Sequence, residues 1–273
     1  MTIPAPEIRD LRFFPDDEIP RDWHGGGSGV TRFFDNLSLF FPAGERFFVR
    51  SVRAHLAAVN DPALLAAVRA FSGQEGIHGR EHARYNAMLR AHYPAEEMEK
   101  RVEALLRFVE KRAPKRWQLA ATCALEHFTS LLAHFVLDDP RMLEGANATM
   151  AALWRWHAAE ENEHKAIPFD VYLAAGGNDA ERCFVMVIAT VIFWAKVAEH
   201  QARLMRTDGT LLSATEWRRL LGFLFVEPGG LTRLVPLYLA YFRPGFHPDD
   251  IDARELLERW KREEGRGERA AAE

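Results

Sequence analysis

Apolar residues recur at intervals of three, four and seven along most of this chain, the repeat of one face of an α-helix rather than the alternation of a strand. Start and stop signals cut the pattern into rods. Pro42 suits the first turn of a helix running to about Val59. Asp61-Pro62 caps and opens a second, to about His92. Pro94, with Glu96 and Glu97, opens a charged amphipathic third that ends near Arg112, and Pro114 opens a fourth to about Leu137. Asp139-Pro140 opens a fifth that reaches Gly176-Gly177. Asn178 or Asp179 caps a sixth, ending near Asp208-Gly209. Shorter helices are predicted at 213–223, 229–241 and 250–262. Before them, residues 1–30 carry four prolines and the run Gly25–Gly29, which lacks the Gly-Lys-Ser/Thr ending of a phosphate-binding loop. The pattern contains no strand and no short internal repeat, so the predicted fold class is all-α.

Four of these apolar stripes are interrupted by the same residue types. The second helix reads Leu64, Val68, Phe71, Glu75, His78, His82, Tyr85, Leu89 along one face. The fifth reads Met150, Trp154, His157, Glu161, His164, Pro168, Val171. Glu45 lies among Phe41, Phe48, Val49 and Val52, and Glu126 lines up with Leu119, Cys123, Ser130 and Ala133, whose small side chains leave room for an ion or substrate. One Glu followed by Glu-x-x-His therefore occurs twice: Glu45 with Glu75 and His78, and Glu126 with Glu161 and His164. A Glu from each of two helices and a Glu-x-x-His from each of two others is how a four-helix bundle builds a carboxylate-bridged metal pair. Burying four ionised carboxylates unpaired costs several kcal/mol apiece. No set of Lys or Arg shares the stripes. Two divalent ions would balance the four charges, and imidazoles add nitrogen ligands without adding charge. Mixed carboxylate and imidazole donors suit iron, manganese or zinc, with iron the leading expectation.

Glu75 and Glu161 are the expected bridging acids, with Glu45 and Glu126 terminal. His157, one turn before Glu161, is expected as a seventh ligand, with support of a ligand as its alternative. It would leave the opposite metal as the open one. His82 can be read as an extra ligand, a proton shuttle or a core histidine. Glu160 and Tyr85 are candidate neighbours of the ligands, and Trp154 and Trp156 read first as packing groups. The expected organisation is an irregular arm at 1–30, a metal-binding bundle at 31–176 whose third helix is a crossover, additional helices of the same domain at 177–262, and a polar tail at 263–273.

The 273 residues are 48% hydrophobic, enough for a real core, and their net charge of −4 mixes both signs. Nothing in that balance calls for nucleic acid or an anionic membrane. Cys123 and Cys183, the two cysteines, match no metal or redox spacing, and the N-terminus lacks a secretory layout, so a cytoplasmic protein is expected. The most apolar run, Cys183–Ala195, has 13 residues. That is short of the roughly 20 of a spanning helix. It predicts a buried helix and no transmembrane segment, the alternative being a helix that touches a membrane or an apolar partner.

With these residues in place the chain resembles the ferritin-like di-iron carboxylate superfamily. The form His157-x-x-x-Glu161-x-x-His164 resembles the p-aminobenzoate N-oxygenase branch, which uses four Glu and three His. Over most of its length the chain is also similar to bacterial proteins catalogued as predicted metal-dependent hydrolases, through FPAGERFF around Glu45, QEGIHGREH at 74–82, LEHFT at 125–129, WHAAEENEHK at 156–165 and YFRPGFHPDD at 241–250. The first resemblance implies a ferritin-like four-helix bundle with two iron ions, acting with dioxygen on a small substrate. It also implies an electron-donor protein as partner. If the Phe- and Leu-rich segments near 183–195 and 220–242 line a channel, that substrate is apolar. The second implies hydrolysis by a metal-bound hydroxide. Metal storage without turnover is a third reading. A homodimer is among the assemblies expected.

Overall fold

The computed structural model describes residues 5–14 and 19–272, with side chains as far as Glu264. The parts of the expected arm at 1–4 and 15–18, and Glu273 of the expected tail, lie outside these. Among the described residues all regular structure is helical. The helices are α1 (Ser28–Arg53), α2 (Pro62–Leu89), α3 (Ala95–Arg112), α4 (Lys115–Asp138), α5 (Ala148–His164), α6 (Ile167–Ala174), α7 (Asp179–Thr207), α8 (Ala214–Phe225), α9 (Gly230–Ala240) and α10 (Arg254–Ala272).

α1 pairs chiefly with α2, and α4 with α5. The two pairs meet where α1 touches α4 and α2 touches α5 and α6. α3 joins the pairs, lying against α1, and α7 covers α4 and α1 from outside. Two apolar clusters fill the interior. One gathers Phe34, Leu37, Leu89, Met150 and Trp154. The other gathers Phe47, Val52, Val68, Leu119 and Ile167. On each rod, the acids and imidazoles of the interrupted stripes fall between these two clusters, so a polar layer is sandwiched by apolar ones.

Helix α1 starts at Ser28, fourteen residues before the expected start at Pro42, so the irregular arm ends earlier than predicted. Gly27, at φ 95°, turns the chain into it, a conformation that a Cβ would strain. The carboxylate of Glu216 on α8 accepts the Gly29 N–H at 2.9 Å, placing negative charge at the helix start. Pro42 sits mid-helix. It has no N–H for the carbonyl of Ser38, four residues back, and Asn86 of α2 supplies one through Nδ2 at 3.2 Å.

The expected fifth helix is three pieces. Asp139-Pro140 opens only a 3₁₀ turn, Pro140–Leu143. α5 begins where Asn147 accepts the amides of Thr149 and Met150. It stops at His164, whose carbonyl cannot receive an N–H from Pro168. The expected polar tail continues α10 as helix to Ala272.

Cys123 and Cys183 are unpaired. The expectation of a buried sixth helix needs correction. By length and composition alone, α4 and α7 could each cross a membrane, as could α8 with α9 taken together across a 40° bend. α4 is wrapped by the molecule. The apolar window of α7, of mean hydropathy 1.6, is only 22% buried. Phe184, Val187, Ile188, Val191 and Ile192 face outward along it.

Candidate metal centre

The structure brings together Glu45 from α1, Glu75 and His78 from α2, Glu126 from α4, and His157, Glu161 and His164 from α5. All seven are buried. Three groups of their ligand atoms lie within 4.8 Å: Glu45, His78 and His157; Glu75, Glu126 and His164; and Glu75, His78 and Glu161. His164 Nε2 is 3.3 Å from Glu75, 3.4 Å from Glu126 and 3.6 Å from Glu161. His157 Nε2 is 3.1 Å from Glu161 Oε1, and His78 Nδ1 is 3.8 Å from the same oxygen. Glu75 and Glu161 thus stand between the two halves of the cluster.

Each imidazole is gripped at one nitrogen and bare at the other. His78 donates from Nε2 to Glu160 at 3.0 Å. His164 donates from Nδ1 to the amide oxygen of Gln74 at 3.0 Å. His157 Nδ1 pairs with His82 Nε2 at 2.8 Å, and His82 Nδ1 pairs with Ser38 Oγ at 2.9 Å. Both nitrogens of His82 are therefore spent, and it supports His157 from outside the three groups. Arg9 clamps the carboxylates behind this shell, reaching Glu160 at 3.1 Å and Glu163 at 2.8 Å. Tyr85 points away, donating to Asp35 at 2.5 Å, and Trp156 stands edge-on to His78 at 4.8 Å.

The inward atoms are left over. Among the described residues, both oxygens of Glu45, Glu75 and Glu126, one of Glu161, His78 Nδ1, His157 Nε2 and His164 Nε2 have no hydrogen-bond partner. Buried polar atoms of native proteins are almost always paired. Lone pairs of hard oxygen and imidazole nitrogen, all aimed at one interior space, fit bound metal cations.

The protein's own charges do not balance the cluster. Burial, then Glu161 and Glu126, push Glu45 well above the usual carboxylate range, and burial with Glu126 does the same to Glu75. Burial lifts Glu126 to about 7 although His164 pulls the other way. At Glu161 the effect of burial is overcome by the neighbouring His157 and His164, which hold it well below the usual range. His164 is pushed well up by Glu126 and Glu161 against the effect of burial. Burial, then the neighbouring His157, hold His78 and His82 well down. Without added cations, the protonated form is favoured at three of the four acids, Glu45, Glu75 and Glu126.

Gly79, Gln74, Ser38, Asn86 and Arg9 are the site residues that sequence reasoning did not single out. Gly79 had a signal: a glycine inside a helix costs about 1 kcal/mol relative to alanine. A Cβ there would stand 3.0 Å from Glu45 Oε2. Arg9 had none, because its partners lie about 150 residues away.

A cavity of about 470 Å³ leads to this cluster between α1, α3, α4 and α7. Phe41, Leu106, Ala121, Leu125, Ala189 and Phe193 are among its walls, and of the seven clustered residues only His157 lines it. The cavity therefore meets the cluster on the side of His157, whereas the opposite side was the one expected to be open.

No curated protein and no solved structure matches this chain. A family model described as predicted metal-dependent hydrolase matches residues 7–252. With nearly the whole chain covered, and with buried Glu and His groups suited to metal, the protein belongs to the predicted metal-dependent hydrolase family.

Proposed function

We propose that this chain is a binuclear metal enzyme, with iron the favoured metal, that uses dioxygen to oxidise an apolar substrate. The observation that carries the reading is the convergence of seven buried residues whose inward lone pairs have no partner. Glu45, His78 and His157 would hold one ion, and Glu126 and His164 the other. Glu75 and Glu161 would bridge, in keeping with their position between the halves. α1, α2, α4 and α5–α6 would be the rods of a ferritin-like bundle, with α3 as its crossover.

Bound iron would supply the redox chemistry toward dioxygen. The chain's own residues set the conditions for it. Glu160 and Gln74 keep protons on the outer nitrogens of His78 and His164, so the inner nitrogens stay free to coordinate. His82 Nε2 accepts the hydrogen bond that keeps a proton on His157 Nδ1, and hydrogen bonds continue from His82 Nδ1 through Ser38 and Asn86 to Glu99. Phe41, its ring tilted against both His82 and His157 at 4.5 Å between centroids, helps to exclude water.

Oxidation is favoured over hydrolysis by the access route. The cavity walls carry few polar groups with which to orient an ester or amide or to steady a developing oxyanion. They suit dioxygen and an apolar substrate. Hydrolysis is the second reading, favoured by the family's description. It would use the same ligands with zinc or manganese. An electron-donor protein belongs to the first reading only.

Anaerobic loading with Fe(II) followed by air tests the choice. Oxidation predicts a transient visible absorbance. A colourless protein that cleaves esters only with Zn(II) or Mn(II) supports hydrolysis instead. A monomer or dimer by light scattering dismisses mineral storage, which needs a closed shell.

A further inference from the structure

The two ends of the cavity differ in chemistry. Its inner end is His157, almost fully buried, beside Trp154 and Ala158. Its outer end opens among exposed apolar side chains: Phe108 of α3, Trp117 of α4, and Ile188 and Ile192 of α7. Two cations stand in the same rim, Arg112 and Lys196. Lys196 is paired with Glu199 at 2.7 Å. Arg112 lies over the ring of Phe108 at 5.9 Å and has no carboxylate partner among the described residues. Between the ends the walls are side chains such as Leu106, Ala121, Leu125 and Phe193. A volume of about 470 Å³ lies within the usual size of a small-molecule site.

We propose that this cavity seats an unbranched aliphatic chain with an anionic head group. The chain lies between α1, α4 and α7 with its far carbons at His157, and the head is held at the rim by Arg112. Apolar walls reward each buried methylene. A guanidinium without a partner at the mouth complements a carboxylate. This orientation brings carbons remote from the head to the metal centre, whereas hydrolysis of the head group would need the head at the inner end. The inference rests on the proposed centre only for what happens at that inner end; chain binding itself needs no metal.

Calorimetric titration of the purified full chain, at measured metal content, with octanoate, decanoate and dodecanoate tests the proposal. Affinity should rise about tenfold for each two methylenes added. Ala189→Trp and Ala121→Trp, which fill the cavity from opposite walls, should each abolish binding of dodecanoate with metal content and helicity unchanged. Two variants guard against one failing to fold. Arg112→Gln should weaken dodecanoate severalfold and leave dodecanol unaffected. Affinity independent of chain length, binding that survives both tryptophans, or equal losses of dodecanoate and dodecanol in Arg112→Gln would overturn the proposal. Chain binding by protein that takes up no metal would refute the metal centre and keep this site. Two bound metals without chain binding would do the reverse.

Discussion

Glu160 accepts a hydrogen bond from His78 Nε2 at 3.0 Å, and so fixes Nδ1 as the nitrogen that faces the four carboxylates. The acid is itself held by Arg9, and burial pushes it up to about 7 although Arg9 pulls it down. Removing such an outer partner of a metal-bound histidine typically costs 10–100-fold in metal affinity. Glu160→Ala should weaken binding at the His78 side by that order, and Glu160→Gln, which keeps an acceptor, by less. Competition with a metal chelator measures both. Unchanged affinity in Glu160→Ala would remove Glu160 from the centre.

Gly79→Ala should separate stability from metal binding. The added methyl would sit 3.0 Å from Glu45 Oε2, and the carboxylate must move by a few tenths of an ångström. Helix propensity alone favours alanine by about 1 kcal/mol. Metal-free protein should therefore melt no lower than the parent, while affinity at the Glu45 side falls about tenfold. A drop in both would mean that the methyl disturbs the packing of α1 on α2 instead.

Asn86→Ala should destabilise the fold by about 1–3 kcal/mol, the usual cost of leaving a buried acceptor unpaired. The acceptor is the Ser38 carbonyl, which Pro42 cannot serve. Urea unfolding checks it. The double variant Asn86→Ala, Pro42→Ala, which restores an N–H to α1, should recover part of the loss.

The metal-free protein should lose stability as pH rises above about 6.5. Glu45 and Glu75 are raised when folded, and Glu126 reaches about 7 from an unfolded value of 4.5. These carboxyls bind more protons folded than unfolded; below about pH 6.5 the lowered His78 and His82 oppose them, and above it, where those histidines are neutral in both states, stability falls as pH climbs through 7. The raised His164 adds to the fall: its contribution is complete below its unfolded value and is lost as pH passes its folded one. Glu161, held low, contributes fully above its unfolded value and does not offset the trend there. Bound metals replace these protons, so the melting-temperature gap between loaded and metal-free protein should widen from pH 5 to pH 8. A constant gap would contradict the charge account.

The seven clustered residues were legible because each breaks an apolar stripe, and a helix face leaves no doubt where positions 75 and 78, or 157, 161 and 164, must point. What fixes their orientation was not legible. Arg9 and Gln74 act across distances that no local pattern records. The first half of α1 was missed because Pro42 read as a start, and its missing bond is repaired by a residue on another helix. The cavity was hidden for a related reason. Leu125, Leu132 and Val136 on α4 form the same apolar stripe whether they meet a neighbour or an empty space. The outward face of α7 was misread because apolar sequence alone does not say which side is covered.

Metal content after Fe(II) reloading, measured by elemental analysis with Mössbauer spectra of the iron form, tests the central claim most directly. The account predicts two ions per chain in the parent protein and at most one in Glu75→Ala or Glu161→Ala. A parent chain that binds none, or either variant retaining two tightly bound ions, would contradict it.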